Sequence, residues 1–407
     1  MKIILGAVIS MPPVSAGCAW NRLQYVLGLR RLGHDVLFLE EVRPKWSVDA
    51  AGKRCPYAES ENRRGFTQIM RQFDLLHQCC QLYDAGADST GLTPAALRQF
   101  VREADLLIDI SGHVTTDFVL EGVRHRAYLD QDPVFTQLWH AEYGKDLRFD
   151  RYDTFFTIGL NIGTPFSPIP DCGIDWNPTL PPVLLDLWPQ HRGTPAGAPY
   201  TTVASLFGYS DLCFQGEWYR TKYDEFRRFA DLPRTTKAPF EVTLKNFSEA
   251  DPCVRALVAG GWELRSARAG GDLADYRGYV AASRAEIGIA KGAYVRGRSG
   301  WFSDRTAAYL ASGRPAVVQS TGFERHLPTG AGLLCFDDLE QAASAVASVE
   351  ADYPAHRRAA RAFAAEYLDA GRVLNAMLDA CASLRSRAPG SGGPPTHESE
   401  ACHESKR

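Results

Sequence analysis

The hydrophobic pattern at the start of the chain predicts a strand–helix–strand unit. Residues 2–10 form a short apolar run, and a loop with two prolines and a glycine, residues 11–17, follows it. Residues 21–32 carry apolar side chains at helical spacing, Gly33 is placed to end that helix, and residues 34–42 return to an apolar strand. Strands joined by such a helix are parallel, because a parallel crossover needs about a dozen residues.

The alternation of strand and helix patterns continues along most of the chain. Residues 188–199 are rich in proline and glycine without apolar periodicity, which is typical of an interdomain linker. The pattern predicts two doubly wound α/β domains and a helical segment that crosses back to the first of them. The predicted units are an N-terminal domain at 1–190, a C-terminal domain at 191–355, the crossing-back segment at 356–385 and a disordered tail at 386–407.

Composition excludes several classes of protein. The 45 Lys and Arg residues against 48 Asp and Glu give a net charge of −3, without the basic surplus of a nucleic-acid binder. No apolar stretch reaches the roughly 18 residues of a membrane span, and the first apolar run is interpreted as a buried strand rather than a signal peptide. The ten cysteines are scattered without a CxxC pair, which favours free thiols in a reducing cytoplasm. We therefore expect a cytoplasmic protein without a metal site.

The sharpest local signal lies between residues 300 and 318. Ser303 is placed as the N-cap of a helix, Asp304 lies in its first turn, and a strand that starts with proline follows. A helix N-terminus that opens on a cleft offers free N–H groups and a positive dipole end to a phosphate. Arg305 could add a bidentate contact to that phosphate. An ordinary capped helix explains the same residues equally well.

Further candidates for a phosphate site follow two predicted strands. Lys291 lies at the carboxyl end of one strand, where its ammonium group suits a diphosphate, and Arg298 lies on the loop that leads to the helix. Thr321, Gly322 and Phe323 follow the next strand, where their backbone N–H groups could line the same site. A solvated surface side chain or a simple turn is the alternative at each position.

The first domain offers a loop and a histidine. Ser15, Ala16 and Gly17 follow the first strand, but a single glycine is not the GxGxxG pattern of a tightly held dinucleotide. His113 follows a buried strand, and a histidine there can act as a base or hydrogen-bond a sugar, since its ordinary pKa lies near working pH. A turn and a structural histidine are the alternatives.

Asp130 and Asp132 form a DxD pattern, which holds Mn²⁺ or Mg²⁺ in some enzymes. Here the pair belongs to the first domain and Pro133 follows it directly, so we favour an acceptor-site or base role over metal binding. A structural turn remains the alternative. Asn161 and Gly163, after the next strand, could help to close the acceptor side.

At this point the sequence resembles a family. Residues 302–323 resemble the donor-binding segment of GT-B glycosyltransferases near the large retaining family four and the spore-maturation, CgeB-like group. A closer likeness is to a set of bacterial glycosyltransferase-like proteins, and it runs over most of residues 1–380. Its motifs are GWFSDR at 300–305, YLASGRP at 309–315, IGIAK at 287–291, YLDQDPVFTQ at 128–137 and TIGLNIGTP at 157–165.

The resemblance implies an α/β protein with the GT-B fold, in which two Rossmann-like doubly wound domains face each other across a cleft and a C-terminal helix crosses back. It also implies a metal-independent glycosyltransferase of the hexosyltransferase type. The enzyme would move a sugar from a nucleotide-diphosphate donor (UDP, GDP or TDP), held by the second domain, to a small-molecule or glycan acceptor on the first. No other cofactor is implied.

The chain departs from the family-four pattern at two positions. Aligned on Gly313, the two glutamates of that pattern fall on Gly300 and Ala308, neither of which is acidic. The ribose-binding role is therefore open, with Asp304 and Glu324 as the nearest substitutes, and so is the anomeric outcome. Two other activities stay open, a nucleotide-sugar 2-epimerase and a non-catalytic sugar-nucleotide-binding protein. The Ala- and Arg-rich composition suggests a bacterial source, where antibiotic biosynthesis or a cell-envelope glycan could supply the acceptor.

Overall fold

Two parallel sheets form the framework of the molecule. The computed structural model describes residues 1–12, 14–190, 193, 197–245, 247–266 and 272–387. The predicted disordered tail lies outside the described residues beyond 387, as do residues 191, 192 and 194–196 of the predicted linker. No helix in the described part of the chain is long and apolar enough to cross a bilayer.

The first sheet has eight strands in the order β4-β3-β2-β1-β5-β6-β7-β8, and all neighbours are parallel except β3 and β4. The central strand β1 is buried and pairs in register with both neighbours, Ile3 opposite Val36 and Leu106. The strands are β1 Lys2–Gly6, β2 Asp35–Val42, β3 Cys79–Tyr83, β4 Asp88–Gly91, β5 Leu106–Ile110, β6 Arg126–Asp130, β7 Thr154–Thr157 and β8 Trp176–Pro178. The helices are α1 Ala16–Arg31, α2 Glu61–Gln72, α3 Pro94–Glu103, α4 Asp117–Gly122 and α5 Phe135–Ala141.

The second sheet has six parallel strands in the order β13-β12-β9-β14-β15-β16, and β10 and β11 form a separate antiparallel hairpin. The strands are β9 Tyr200–Ala204, β10 Leu212–Phe214, β11 Glu217–Tyr219, β12 Phe240–Leu244, β13 Glu263–Ser266, β14 Ala285–Gly288, β15 Ala316–Gln319 and β16 Leu333–Phe336. The helices are α6 Tyr223–Arg228, α7 Leu232–Thr236, α8 Pro252–Gly260, α9 Leu273–Ala282, α10 Gly292–Arg296, α11 Asp304–Ala311, α12 Leu339–Ala351, α13 Tyr353–Phe363 and α14 Ala370–Arg387.

The last helix returns to the first domain, which confirms the predicted crossing back. A π-helical turn, Ala364–Leu368, follows α13, and the chain is extended at Asp369 before α14 begins. The Val183 N–H donates to the Leu368 carbonyl at 2.7 Å, which fixes the return point. Helix α14 then packs on α1 so closely that a Cβ added to Gly28 would lie 2.5 Å from Leu374 Cδ1. The helical stretch is thus interrupted at Asp369.

The carboxyl edges of the two sheets face each other. The loops after β6 and β7 of the first domain meet the loops after β14 and β15 of the second. The Trp20 indole of α1 donates to the Leu273 carbonyl at the start of α9, at 2.8 Å. Ligands of doubly wound sheets bind at these edges, so the interdomain cleft is the place to look for chemistry.

Candidate functional site

The predicted helix start at Ser303 is present. The Ser303 hydroxyl accepts a hydrogen bond from the Arg305 N–H at 3.2 Å, and α11 runs from Asp304. Ser303, Arg305, Gln319 and Phe323 line one small cavity, whose volume of about 10 Å³ corresponds to about one water molecule. The helix start therefore faces a nearly closed part of the cleft.

The guanidinium of Arg305 is bound to partners within the protein, so in this arrangement it is not free for the predicted bidentate contact with a phosphate. Its Nε donates to Glu286 Oε1 at 2.6 Å and its Nη1 donates to the Val203 carbonyl at 2.8 Å. Both side chains of the ion pair are buried. Burial lowers the pKa of Arg305, but the charge and the hydrogen bond of Glu286 together raise it by more. The pKa of Arg305 therefore lies above its ordinary value. Arg305 joins α11 to β14 and β9.

A cation that the sequence did not single out lies in the same region. Lys222 directly precedes α6, and its ammonium group makes no hydrogen bond or ion pair within the described residues. Burial lowers the pKa of Lys222 well below its ordinary value, and the nearby charges of Arg305 and Lys291 lower it further. The charges of Glu286 and Asp304 act in the opposite direction but do not offset these effects. A poorly hydrated ammonium group without a bonded counter-charge is suited to take up an anion.

Lys291 reaches the cleft as predicted, and there it binds Asp132 of the first domain. Its Nζ lies 2.7 Å from Asp132 Oδ1. The hydroxyls of Tyr294 and Tyr209 donate to Asp132 Oδ1 and Oδ2, both at 2.8 Å. Burial raises the pKa of Asp132, but Lys291 and the tyrosine hydrogen bonds lower it below its ordinary value. We call these four residues the Asp132 cluster; it closes the cleft at this point.

Asp130 is buried and its carboxylate is held by neighbouring groups, which favours the structural alternative over the predicted role as a base. Its buried carboxylate accepts hydrogen bonds from Thr136 Oγ1 at 2.6 Å, Gln137 Nε2 at 3.1 Å and Thr157 Oγ1 at 2.8 Å. It also accepts the Asp132 N–H at 2.9 Å. Burial raises its pKa. Asp130 thus holds the backbone that presents Asp132 to the cleft.

His113 follows a sharp turn, Ser111 and Gly112, both of which have positive φ. The buried Asp109 carboxylate accepts the His113 N–H at 2.9 Å and the Tyr152 hydroxyl at 2.6 Å, which fixes the turn. Loss of hydration among the surrounding loops, and then the charge of Arg22, lower the pKa of His113 to about 4, although the residue as a whole is exposed. The imidazole is therefore neutral at pH 7 and a weaker base than an ordinary histidine.

The loop before α1 meets the second domain. Ser15 caps α1 without a side-chain hydrogen bond, and Ala16 is buried. Gly17 and Asp304 line a second small cavity between the domains, together with Tyr276. The structure therefore brings together one predicted residue of each domain here, Gly17 from the acceptor side and Asp304 from the donor side.

Asn161 joins the domains rather than lining an open site. Its Nδ2 donates to the Arg298 and Gly322 carbonyls at 2.8 and 3.2 Å, and its Oδ1 lies 2.7 Å from His326 Nε2. The Thr321 hydroxyl, next to Gly322, is also used within the protein and donates to the Trp301 carbonyl at 2.7 Å.

The three remaining predicted site residues, Arg298, Phe323 and Gly163, lie in three different environments. Arg298 is exposed; its carbonyl accepts from Asn161, and its N–H donates to the Val295 carbonyl at 3.1 Å. Phe323 is buried, with its ring 5.6 Å from that of Phe302, and reaches the α11 cavity. Gly163 lies in an exposed turn, and the structure records no contact between it and the other predicted residues.

The structure leaves little room for acidic side chains at the two positions where family four has its glutamates, which are Gly300 and Ala308 in this chain. Gly300 has a φ of +73°, and a Cβ added to it would lie 2.8 Å from the Asn161 nitrogen of the first domain. Ala308 is buried within α11. Of the suggested substitutes for the ribose-binding role, Asp304 lines the interdomain cavity, whereas Glu324 is exposed and accepts from Ser320 Oγ at 2.7 Å.

Comparison with solved structures identifies the architecture. No family model and no curated protein matches the sequence. An α-glucosyltransferase in complex with UDP is 11% identical with a TM-score of 0.59, over 94% of this chain and 100% of that one. The chain has the GT-B fold. The chain is also similar to HepE of Anabaena in complex with UDP and glucose, with 13% identity and a TM-score of 0.55 over 94% of this chain and 100% of that one. For sucrose-phosphate synthase of Thermosynechococcus elongatus the identity is 11% and the TM-score 0.52, over 95% of this chain and 100% of that one. The fold prediction is confirmed.

Proposed function

We propose that this GT-B protein is a glycosyltransferase that moves a hexose from a nucleotide-diphosphate donor to a small-molecule or glycan acceptor. The observation that carries the proposal is the ammonium group of Lys222, which has no bonded partner within the described residues and whose pKa is lowered by burial and then by the charges of Arg305 and Lys291. Lys222, together with Lys291 when it leaves Asp132, would bring two positive charges to the diphosphate. Neighbours solved with UDP make a UDP-sugar the first donor to test.

The cations stabilise the charge that builds up on the leaving diphosphate. Lys222 is free to bind it directly, and Lys291 becomes free when it separates from Asp132. The amide end of α11 at Ser303 adds a positive dipole, and the loop 321–323 borders the same site. Arg305 acts through its charge and by holding α11 in place. Such fixed charges can do the work of a metal ion in stabilising a leaving group.

The acceptor side is proposed to use His113 and Asp132. His113 is neutral at pH 7, because its pKa is about 4, and is suited to hydrogen-bond a hydroxyl group. Asp132, once Lys291 has turned to the diphosphate, is positioned to take the proton of the attacking hydroxyl. The cavity at α11 and the cavity between the domains each hold about one water molecule. We therefore expect the cleft to open before a donor enters, and closure would then exclude water.

The donor site is tested by thermal unfolding with UDP, GDP, TDP and ADP. We expect one of them to raise the Tm, because a ligand that binds only the folded state stabilises it. Lys222→Ala should lower the affinity for that nucleotide by about 10- to 100-fold, because one hydrogen bond to a charged group is lost. Lys53→Ala, at an exposed lysine of the first domain, is the matched control. Equal affinity of Lys222→Ala and the unsubstituted protein would remove Lys222 from the site.

A non-catalytic sugar-nucleotide-binding protein is the second candidate. It is favoured by Gly300 and Ala308, which stand where family four has its glutamates. Release of UDP from a UDP-sugar, measured with a panel of acceptors, separates the two. The transferase predicts release that depends on an acceptor, whereas a binding protein would hold the sugar nucleotide without turnover.

A further inference from the structure

An open pocket of about 520 Å³ lies in the C-terminal domain, next to the Asp132 cluster, and the proposed donor site does not use it. Its walls combine three aromatic rings and three carboxylates. These are Phe207, Tyr209, Tyr223, Asp211, Asp224 and Asp251.

The aromatic rings are unusually accessible for their size. Phe207 is 54% exposed and Tyr209 is 38% exposed. The rings of Phe207 and Tyr223 lie 5.4 Å apart and are inclined by 34°, so that they form one continuous apolar wall. Exposed aromatic faces in a concave site are suited to the flat C–H face of a sugar ring.

The charge of the pocket is negative. Its three aspartates face a single cation, Arg220, which pairs with Asp224 at 3.0 Å. Asp211 and Asp251 accept backbone N–H groups at 3.1 and 2.7 Å, which leaves their charges in place. This charge repels a diphosphate and attracts a cation.

The form of the pocket favours an organic cation over a metal ion. Within the described residues, no three Asp, Glu, His or Cys side chains are grouped as a metal ion requires. An ammonium group, by contrast, gains from separate carboxylates and from the faces of aromatic rings. The volume of about 520 Å³ is in the range of small-molecule sites.

The pocket shares a wall with the proposed donor site. Tyr209 lines the pocket, donates its hydroxyl to Asp132 and has its ring centre 4.4 Å from Lys291 Nζ. Thr221 and Tyr223, which also line it, flank Lys222 in the chain. A molecule held in the pocket therefore lies beside the groups that would hold the donor diphosphate.

We propose that this pocket is an acceptor subsite for a sugar that carries a free, protonated amine. The inference rests on the proposed function and names its substrate class. A hydroxyl oxygen of the amino sugar forms the new bond to the anomeric carbon of the donor. The bond from that carbon to the diphosphate oxygen breaks, the nucleoside diphosphate leaves with the electron pair, and the hydroxyl proton passes to Asp132.

Glucosamine and N-acetylglucosamine test the proposal, because acetylation removes the charge of the amine. Both sugars are titrated against the full chain in the presence of saturating UDP, and binding is followed by saturation-transfer NMR. The Kd of glucosamine should be at least about tenfold lower than the Kd of N-acetylglucosamine. Asp211→Asn, which keeps the acceptor oxygen for the Thr221 N–H, and Phe207→Ala should each reduce that preference. Trp218→Ala is the control, since Trp218 is 51% exposed but does not line the pocket. The Tm of each variant without ligand checks its folding.

The outcomes separate the two proposals. Equal affinity for both sugars, or no binding of glucosamine, would overturn the amine subsite while a Tm shift with UDP still supports the donor site. If no nucleotide shifts the Tm of the unsubstituted protein, the donor proposal fails instead. A preference for glucosamine that survives Asp211→Asn and Phe207→Ala alike would place the amine elsewhere and also overturn the subsite.

Discussion

Lys222 shows how burial can prepare a single side chain for a ligand. Its pKa is lowered because its ammonium group is shielded from water beside Arg305 and Lys291. An incoming diphosphate would supply the missing counter-charge and raise that pKa again. Binding should therefore be coupled to the uptake of a proton whenever the free side chain is neutral.

We accordingly predict that nucleoside diphosphate affinity falls as the pH rises through the lowered pKa of Lys222. Calorimetric titrations from pH 7 upward avoid the titration of the nucleotide phosphate itself. In Lys222→Arg the decline should be shallower, because a guanidinium keeps its proton throughout this range. An identical pH profile for the two proteins would contradict this account.

Local sequence patterns predicted some of the site residues better than others. The cap at Ser303 and the position of Lys291 depend on a few neighbouring residues, and both are present. Lys222 precedes a short helix after a hairpin, where no periodic pattern marks it. The partner of Arg305, Glu286, lies on another element, and nothing in the sequence around either residue reveals the pair.

At the scale of elements, the contact between α1 and α14 depends on one missing side chain. Gly28 lets α14 approach, and Leu374 Cδ1 and the Ala370 Cβ would lie 2.5 and 3.3 Å from a Cβ added there. This contact fixes the crossing-back helix to the first domain.

Gly28→Val should therefore destabilise the protein by about 1–3 kcal/mol, the usual effect of overpacking, as measured by urea unfolding. Gly278→Val in α9 is the control, because no atom lies within 4 Å of a Cβ added there. The explanation is wrong if the two substitutions have equal effects.

A cap signal in the sequence marks one helix of the first domain, whereas the sequence gives no element boundaries for residues 45–90. Thr93 is a residue type that caps helices, and its hydroxyl accepts the Ala96 N–H at 3.2 Å at the start of α3. Residues 45–90 contain α2, β3 and β4. Strand β3 begins with the buried pair Cys79 and Cys80, which lack the branched aliphatic signal of the other core strands.

At the scale of the whole molecule, the ion pair of Asp132 with Lys291 and the hydrogen bonds of Asn161 hold the two domains together. The GT-B architecture could be predicted because it depends on the order of buried strands. The closed cleft could not, because its contacts join residues far apart in the chain.

Asp132→Asn should weaken the closure by removing the charge that Lys291 binds. We expect nucleoside diphosphate affinity to rise several-fold, since Lys291 is released, and small-angle scattering without ligand to show a larger radius of gyration. Sugar transfer should fall if Asp132 takes the acceptor proton. Asp150→Asn, at an exposed aspartate, is the matched control. Unchanged affinity and unchanged size would argue against an interdomain restraint at Asp132.

The indole of Trp20 spans the boundary between the domains, bonded to the Leu273 carbonyl and 5.2 Å from the ring of Trp188. When the cleft opens, the hydrogen bond of the indole N–H to the carbonyl is replaced by one to water, and the emission of Trp20 should shift to longer wavelengths. The chain has eight tryptophans, so the difference in emission between the unsubstituted protein and Trp20→Phe isolates this signal. The protein thus carries an intrinsic optical probe of the interdomain contact, which needs no attached dye.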